Sequence, residues 1–257
     1  MPTILAIDTS SDACSVALML DENTVAESNV IAPREHTQRI LPMVADLLKD
    51  QGVALKDIDA IGFGCGPGSF TGLRICISVA QGLGYGADIP LIPISNLHAM
   101  AQGVLRVSLE QGLNLVTDEV DTVITPIFDA RMNEVYWSAY RVIKASNSFY
   151  LSAVLPESVC SPVACRDAIL GIASSCIYPA GSGWDCEPLN HLELGQKQLT
   201  LTSRPIYSSA TDIAQLAWKD YLVGKIIDPT AVEPTYLRNE ISWKKRARLR
   251  KKLFNEN

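Results

Sequence analysis

Hydrophobic positions along this chain fall into two periods that alternate in a regular order. Thr3–Asp8 (TILAID) is an apolar run closed by an acid. A polar turn, Thr9–Asp12, separates it from a second run, Cys14–Leu20 (CSVALML), so the two predict a β-hairpin. Asp21, Glu22 and Asn23 turn the chain into a third strand, Thr24–Val30. The period then changes. Ile40, Leu41, Val44, Leu47 and Leu48 recur at helical spacing, which predicts an amphipathic helix over His36–Gln51, ended by Gly52, with Pro42 near its first turn. A strand over Ile61–Cys65 leads into a glycine loop and a low-charge helix running to Ala87. Pro90–Ile94 is a short strand, and a helix follows from Ser95 or Asn96 to about Gln111.

The order then restarts. Thr122–Phe128 is an apolar strand ended by Asp129. Ala130–Asn133 is a turn and Glu134–Val142 an alternating return strand. Ile4–Leu20 and Ile124–Val142 therefore share one plan: apolar strand, terminal Asp, short polar turn, alternating strand. This implies two similar α/β halves. Beyond them, Lys144–Tyr150 reads as a polar connection, Pro162–Ala173 as a helix and Cys176–Ala180 as a strand. Residues 185–205 read as irregular, Thr211–Val223 as a helix and Glu233–Leu237 as an extended piece. The expected division is an N-terminal subdomain over 1–110, completed by the helix 211–223, and a C-terminal subdomain over 120–240. A basic, disordered tail is expected over 244–257.

The glycine loop, IGFGCGPGSFTGLRI (residues 61–75), invites two readings. A glycine loop feeding a helix start, with Ser69 or Thr71 as cap, can hold a phosphate. It serves equally as a packing device that lets two helices approach closely. No Gly-Lys-Ser/Thr follows, so it is not a Walker loop, and Asp88 lies after the helix instead of at the end of the next strand, so it is not a dinucleotide fingerprint. The small residues Ser78, Ala80, Gly82, Gly84 and Gly86 favour a packing or interface role for the helix.

Composition narrows the function classes. The chain has 257 residues, 47% hydrophobic and 19% charged, which suits a globular protein with no run long enough to span a bilayer. Met1-Pro2-Thr3 does not begin a secretory leader. Seven cysteines without a C-x-x-C pair point to a reduced compartment and against a Cys₄ zinc site. The three histidines, His36, His98 and His191, make no zinc-protease motif. Ser69, Cys65 and Cys76 have no marked base partner for nucleophilic chemistry. Net charge is −6, unevenly spread. Residues 244–257 hold seven of the 22 Lys and Arg, leaving a body of 15 basic and 27 acidic residues. An acidic body repels nucleic acid, whereas Lys244, Lys245, Arg246, Arg248 and Arg250 would attract it.

Asp8 and Asp129 stand at the ends of equivalent strands. In an actin-like, sugar-kinase-like ATPase fold, acids there hold magnesium and the hairpin turns cradle phosphate. The turns here, Thr9-Ser10-Ser11 and Ala130-Arg131-Met132, lack the glycines that such an approach uses.

The segments ILAIDTS (4–10), PREHTQRILPMV (33–44), GPGSFTGLRI (66–75), AQGL (80–83), FDARMNEVYW (128–137) and PTYLRN (234–239) resemble the TsaB (YeaZ) family over nearly the whole chain. The resemblance implies a bacterial, cytoplasmic protein with a degenerate two-lobed actin-like ATPase-domain (ASKHA) α/β fold, similar to a reduced TsaD. It implies a required, non-catalytic subunit. With TsaD and the ATPase TsaE, such a subunit supports transfer of threonylcarbamoyl to N6 of adenosine 37 in tRNAs reading ANN codons. ATP, magnesium and the metal then belong to the partner subunits, a nucleotide at the partner interface remaining open, and the chain has no cofactor of its own. The two metal-binding histidines of TsaD fall at Asn96 and Met100. The helices 36–51 and 69–87 would meet the same helices of TsaD, or of a second copy in a homodimer. His36, Arg39, Ile40, Met43, Phe70, Leu73, Arg74, Ile77 and Gln81 are the expected interface residues. The basic tail would touch tRNA within the complex. A free-standing ATPase or sugar-kinase-like enzyme is the alternative from another class, and a metalloprotease a distant third.

Overall fold

The computed structural model describes the chain except for residues 23, 114, 118–119, 147, 193, 195–206, 234, 236 and 239–257. The tail residues Lys244–Arg250 lie outside this set.

β1 (Ile4–Asp8) is the axis of a five-stranded sheet. It pairs antiparallel with β2 (Ala13–Met19), which pairs antiparallel with β3 (Val25–Ile31). On its other side lie β4 (Ala60–Gly66) and then β5 (Leu91–Ser95), both parallel, giving the order β3-β2-β1-β4-β5. Side chains alternate across a strand, and here both faces are apolar. Leu5 and Ile7 meet Ile40, Val44, Leu47 and Leu48 of α1 (His36–Gln51) and Cys76, Ile77 and Ala80 of α2 (Phe70–Ala87). Ile4 and Ala6 meet Ile213, Ala214 and Ala217 of the late helix α5 (Ala210–Leu222). The close seat of α5 depends on Gly62, where a Cβ would lie 2.7 Å from that of Ala217.

The second sheet repeats the plan in the order β8-β7-β6-β9. Its strands are β6 (Thr122–Arg131), β7 (Glu134–Ala145), β8 (Ser148–Cys160) and β9 (Cys176–Ala180). β6 and β7 form the hairpin and β9 runs parallel to β6, as β4 does to β1. α3 (Asn96–Glu110) covers one face through Met100, Ala101, Val104 and Leu105. α4 (Pro162–Leu170) covers the other through Cys165 and Ile169. Two lobes with one strand order and helices on both faces make this the two-lobed actin-like fold.

Three local readings are corrected. The polar connection at 144–150 is the tip of a hairpin, and β8 continues for thirteen residues as an edge strand. Its alternation is hidden because Pro156 interrupts it, where the register with β7 slips. Pro42 sits inside α1 as its seventh residue, on the exposed side, well past the first turn. α4 stops at Leu170, before Gly171.

Candidate functional site

Ser69 caps α2 by accepting from the Gly72 amide at 3.4 Å, and this helix start is pressed onto the β1–β2 turn. The Ser69 amide donates to the Ser10 carbonyl at 2.7 Å and the Thr9 hydroxyl to the Gly72 carbonyl at 2.8 Å. A Cβ on Gly72 would stand 2.0 Å from the Thr9 carbonyl oxygen, and one on Gly68 2.7 Å from that of Ser10. These glycines let two backbones meet, and the loop lies against the very turn that a phosphate would need. The second lobe repeats the device: after β9, the Ser182 hydroxyl accepts from the Asp129 amide at 3.4 Å.

At the end of β1 the Asp8 carboxylate is 1% exposed. It accepts from the Ser10 amide at 2.8 Å and from the Ser208 hydroxyl. Asn96 Nδ2 lies 3.4 Å from both its oxygens, and Asn96 Oδ1 accepts from the Gly66 amide at 3.0 Å. Gly64 leaves no room to spare: a Cβ there would be 2.7 Å from Asp8 Oδ1. Burial raises the Asp8 pKa against the lowering effect of these neutral donors. The polar atoms that could have faced a ligand are spent on one another. Asp129, its counterpart, is partly exposed and is held by the Arg131 amide at 2.8 Å and guanidinium at 3.2 Å. Met100 is buried in the apolar core of the second lobe. His98 stacks on Tyr140 with centroids 5.0 Å apart, and burial pushes its pKa down to about 4. Among the described residues no three of His, Cys, Asp or Glu come together as a metal would require. Burial raises the thiols of Cys65 and Cys76, so neither is a thiolate at neutral pH.

The open surface is the outer side of α1 and α2. A groove of about 430 Å³ runs between them, lined by Thr37, Phe70, Thr71, Arg74, Ile75, Ser78 and Val79. Arg74 lies over the Phe70 ring at 3.8 Å. Phe70 is 55% exposed, Leu41 48% and Tyr85 76%. Gly82 and Gly86 are exposed on the same helix, with nothing within 4 Å of an added Cβ. Mid-helix glycine is less stable than alanine by about 1 kcal/mol, which applies to Gly82, and the chain's own packing asks for glycine neither there nor at Gly86 in the last turn.

Of the residues named from sequence, Phe70 and Arg74 line the groove, and Arg39 is exposed and paired with Glu35 at 2.7 Å. His36, Ile40, Leu73 and Ile77 are buried in the chain itself. Met43 is half-buried against the core, and Gln81 is half-buried, donating to the Pro229 carbonyl at 3.0 Å. The stripe named on α2 was rotated toward the core, because that helix is too apolar all round for periodicity to mark its outer side. Thr37, Leu41, Thr71 and Tyr85, exposed on these two helices, were not among the residues named for this face. For α1 the signal was available: Thr37, Leu41 and Ala45 are exposed and spaced by four along the flank of the buried Ile40–Val44–Leu48 stripe.

Known proteins share this architecture and much of this sequence. The family described as "TsaD: tRNA N6-adenosine threonylcarbamoyltransferase" matches residues 24–163. The tRNA threonylcarbamoyladenosine biosynthesis protein TsaB of Haemophilus influenzae is 40% identical over 247 residues, covering 95% of this chain and 96% of that protein. The chain belongs to the TsaB family. Its Escherichia coli member is 39% identical, covering 94% of this chain and 97% of its own. The structure of YeaZ from Pseudomonas aeruginosa superposes with a TM-score of 0.74 at 35% identity, over 92% of this chain and all of that one. The TsaB family match thus takes in both lobes, and the TsaD family match runs from the start of β3 into α4.

Proposed function

We propose that this chain serves tRNA threonylcarbamoyladenosine biosynthesis as a non-catalytic subunit that docks on TsaD. The observation that carries the reading is the outer side of α1 and α2. It offers a groove, exposed Phe70 and Tyr85, and two glycines that the chain's own core does not need. Helices without side chains at the contact approach closely, and exposed aromatics and arginine are the usual anchors of an interface. The buried Asp8–Asn96–Ser208 cluster supports the non-catalytic half of the reading, since its donors and acceptors already satisfy each other. TsaD then carries the transfer of threonylcarbamoyl to adenosine 37, TsaE joins the complex, and tRNA reaches this chain through that assembly and its basic tail. In isolation the same face pairs two copies. The setting is the cytoplasm; no described helix is long and apolar enough to cross a membrane.

The test is reconstitution. This chain with TsaD and TsaE should restore threonylcarbamoyl transfer to tRNA, with neither this chain nor TsaD active alone. Full transfer by TsaD and TsaE without it would refute the proposal. Tight binding of ATP by the isolated chain would favour the alternative of a free-standing ATPase.

A further inference from the structure

Among the described residues, two ties between the lobes stand out. The first is α3, which leaves β5 of the first sheet and buries its apolar side in the second lobe. Beside its start, Glu157 of β8 accepts from the Ser95 hydroxyl and from Tyr140 at 2.9 Å. The second tie comes from the end of the described chain. After α5, Ile227 bridges to Leu91, Pro229 lies under α2, and Val232 enters the core of the first lobe. The Thr235 amide then donates to the Cys65 carbonyl at 3.1 Å, and its hydroxyl lies 3.6 Å from Cys65 Sγ. The Thr235 carbonyl stands 2.8 Å from where a Gly66 Cβ would be. Three residues later the chain is on the other lobe. The Arg238 guanidinium donates to the Ala130 carbonyl at 3.1 Å and the Arg131 carbonyl at 3.5 Å, pairs with Glu134, and reaches over Tyr136 at 5.9 Å.

The place it grips is unusual. Arg131, Met132 and Asn133 are consecutive residues with φ of 62°, 58° and 60°. Side chains with a Cβ rarely adopt this region, and such runs persist where surrounding contacts over-determine them. Arg238 supplies those contacts, bonding the carbonyls that open the turn and the carboxylate that closes it.

We propose that Thr235 and Arg238 form a clasp, which fixes the relative orientation of the lobes by bonding Thr235 to the glycine loop and Arg238 to the β6–β7 turn. It rests on these contacts and is independent of the docking reading. Because the same segment runs beneath α2, the clasp sets how the second lobe stands relative to the groove side of that helix.

The experiment is made on the full chain. Spectroscopic labels carried by non-cysteine residues are placed at exposed Lys56 on the first lobe and exposed Ala164 on the second. Interlobe distances and amide exchange are then compared for wild type and Arg238→Ala. The expected result is a broader distance distribution and exchange at Thr235 faster by about ten- to a hundredfold, the range that loss of charged hydrogen bonds gives. Amides of β1 and β4 keep their protection, which separates release of the clasp from unfolding. Glu134→Gln, altering the grip from the other lobe, broadens the distribution in the same direction. An unchanged distribution with a freed Thr235 amide, or a Thr235 amide that stays protected in Arg238→Ala, overturns the proposal.

Discussion

Gly72→Ala is a sharp test of why the glycine loop exists. The added methyl would stand 2.0 Å from the Thr9 carbonyl oxygen and 3.1 Å from its carbon. Both atoms are backbone of a turn held on the far side by β1 and β2, so the loop has to move. Overpacking of this kind costs about 1–3 kcal/mol. Displacement also weakens the Thr9 hydroxyl bond to Gly72 and the Ser69 amide bond to Ser10, about 1 kcal/mol each. Alanine returns about 1 kcal/mol through its helix propensity. The net expectation is a loss of about 2–4 kcal/mol, or about 5–15 °C in Tm for a chain of this size. Gly82→Ala is the internal control: same helix, same substitution, open space around the Cβ, and an expected gain of up to about 1 kcal/mol. Urea titration of both variants reads the difference. If Gly72→Ala came within about 0.5 kcal/mol of wild type, the close approach of loop and turn would be wrong as described, and the phosphate reading of the loop would reopen.

Four further outcomes are expected. Phe70→Ala and Arg74→Glu should each weaken association with TsaD by about tenfold or more in calorimetry with the fold intact, whereas Ile77→Glu, which buries a charge, should fail to fold. Burial raises the Asp212 pKa from 3.8 to about 6, against the lowering effect of the Arg106 guanidinium at 2.9 Å, so between those values the folded state binds a proton that the unfolded state releases. Wild type should therefore gain stability over Asp212→Asn as pH falls from 7 to 4, by at most about 3 kcal/mol, and lose it again as pH rises; a flat difference would refute this. His98, held near 4 against Tyr140, should remain neutral in an NMR titration down to about pH 5. Deleting residues 244–257 should weaken tRNA binding by the whole complex, most at low salt, and an unchanged salt slope would remove the tail from the tRNA path.

Periodicity and punctuation alone were enough for most of the architecture. The apolar runs, the terminal acids Asp8 and Asp129 and the two hairpins located both lobes, because alternation of period 2 and 3.6 is a local property of the chain. The Ser69 cap and the small residues of α2 were legible for the same reason. Tertiary contacts decided the rest. Whether Ile77 or Ser78 faces outward depends on where β4 and β1 lie beneath α2, and an evenly apolar helix carries no such mark. β8 was hidden because its pairing with β7 is what makes it a strand. Asp8 and Asn96, 88 residues apart, become mutual partners only when β1 and α3 meet. The glycine loop shows the division most clearly. Its glycines are plain in the sequence, but what they approach, the Thr9–Ser10 backbone and not a phosphate, is fixed by the sheet that brings loop and turn together.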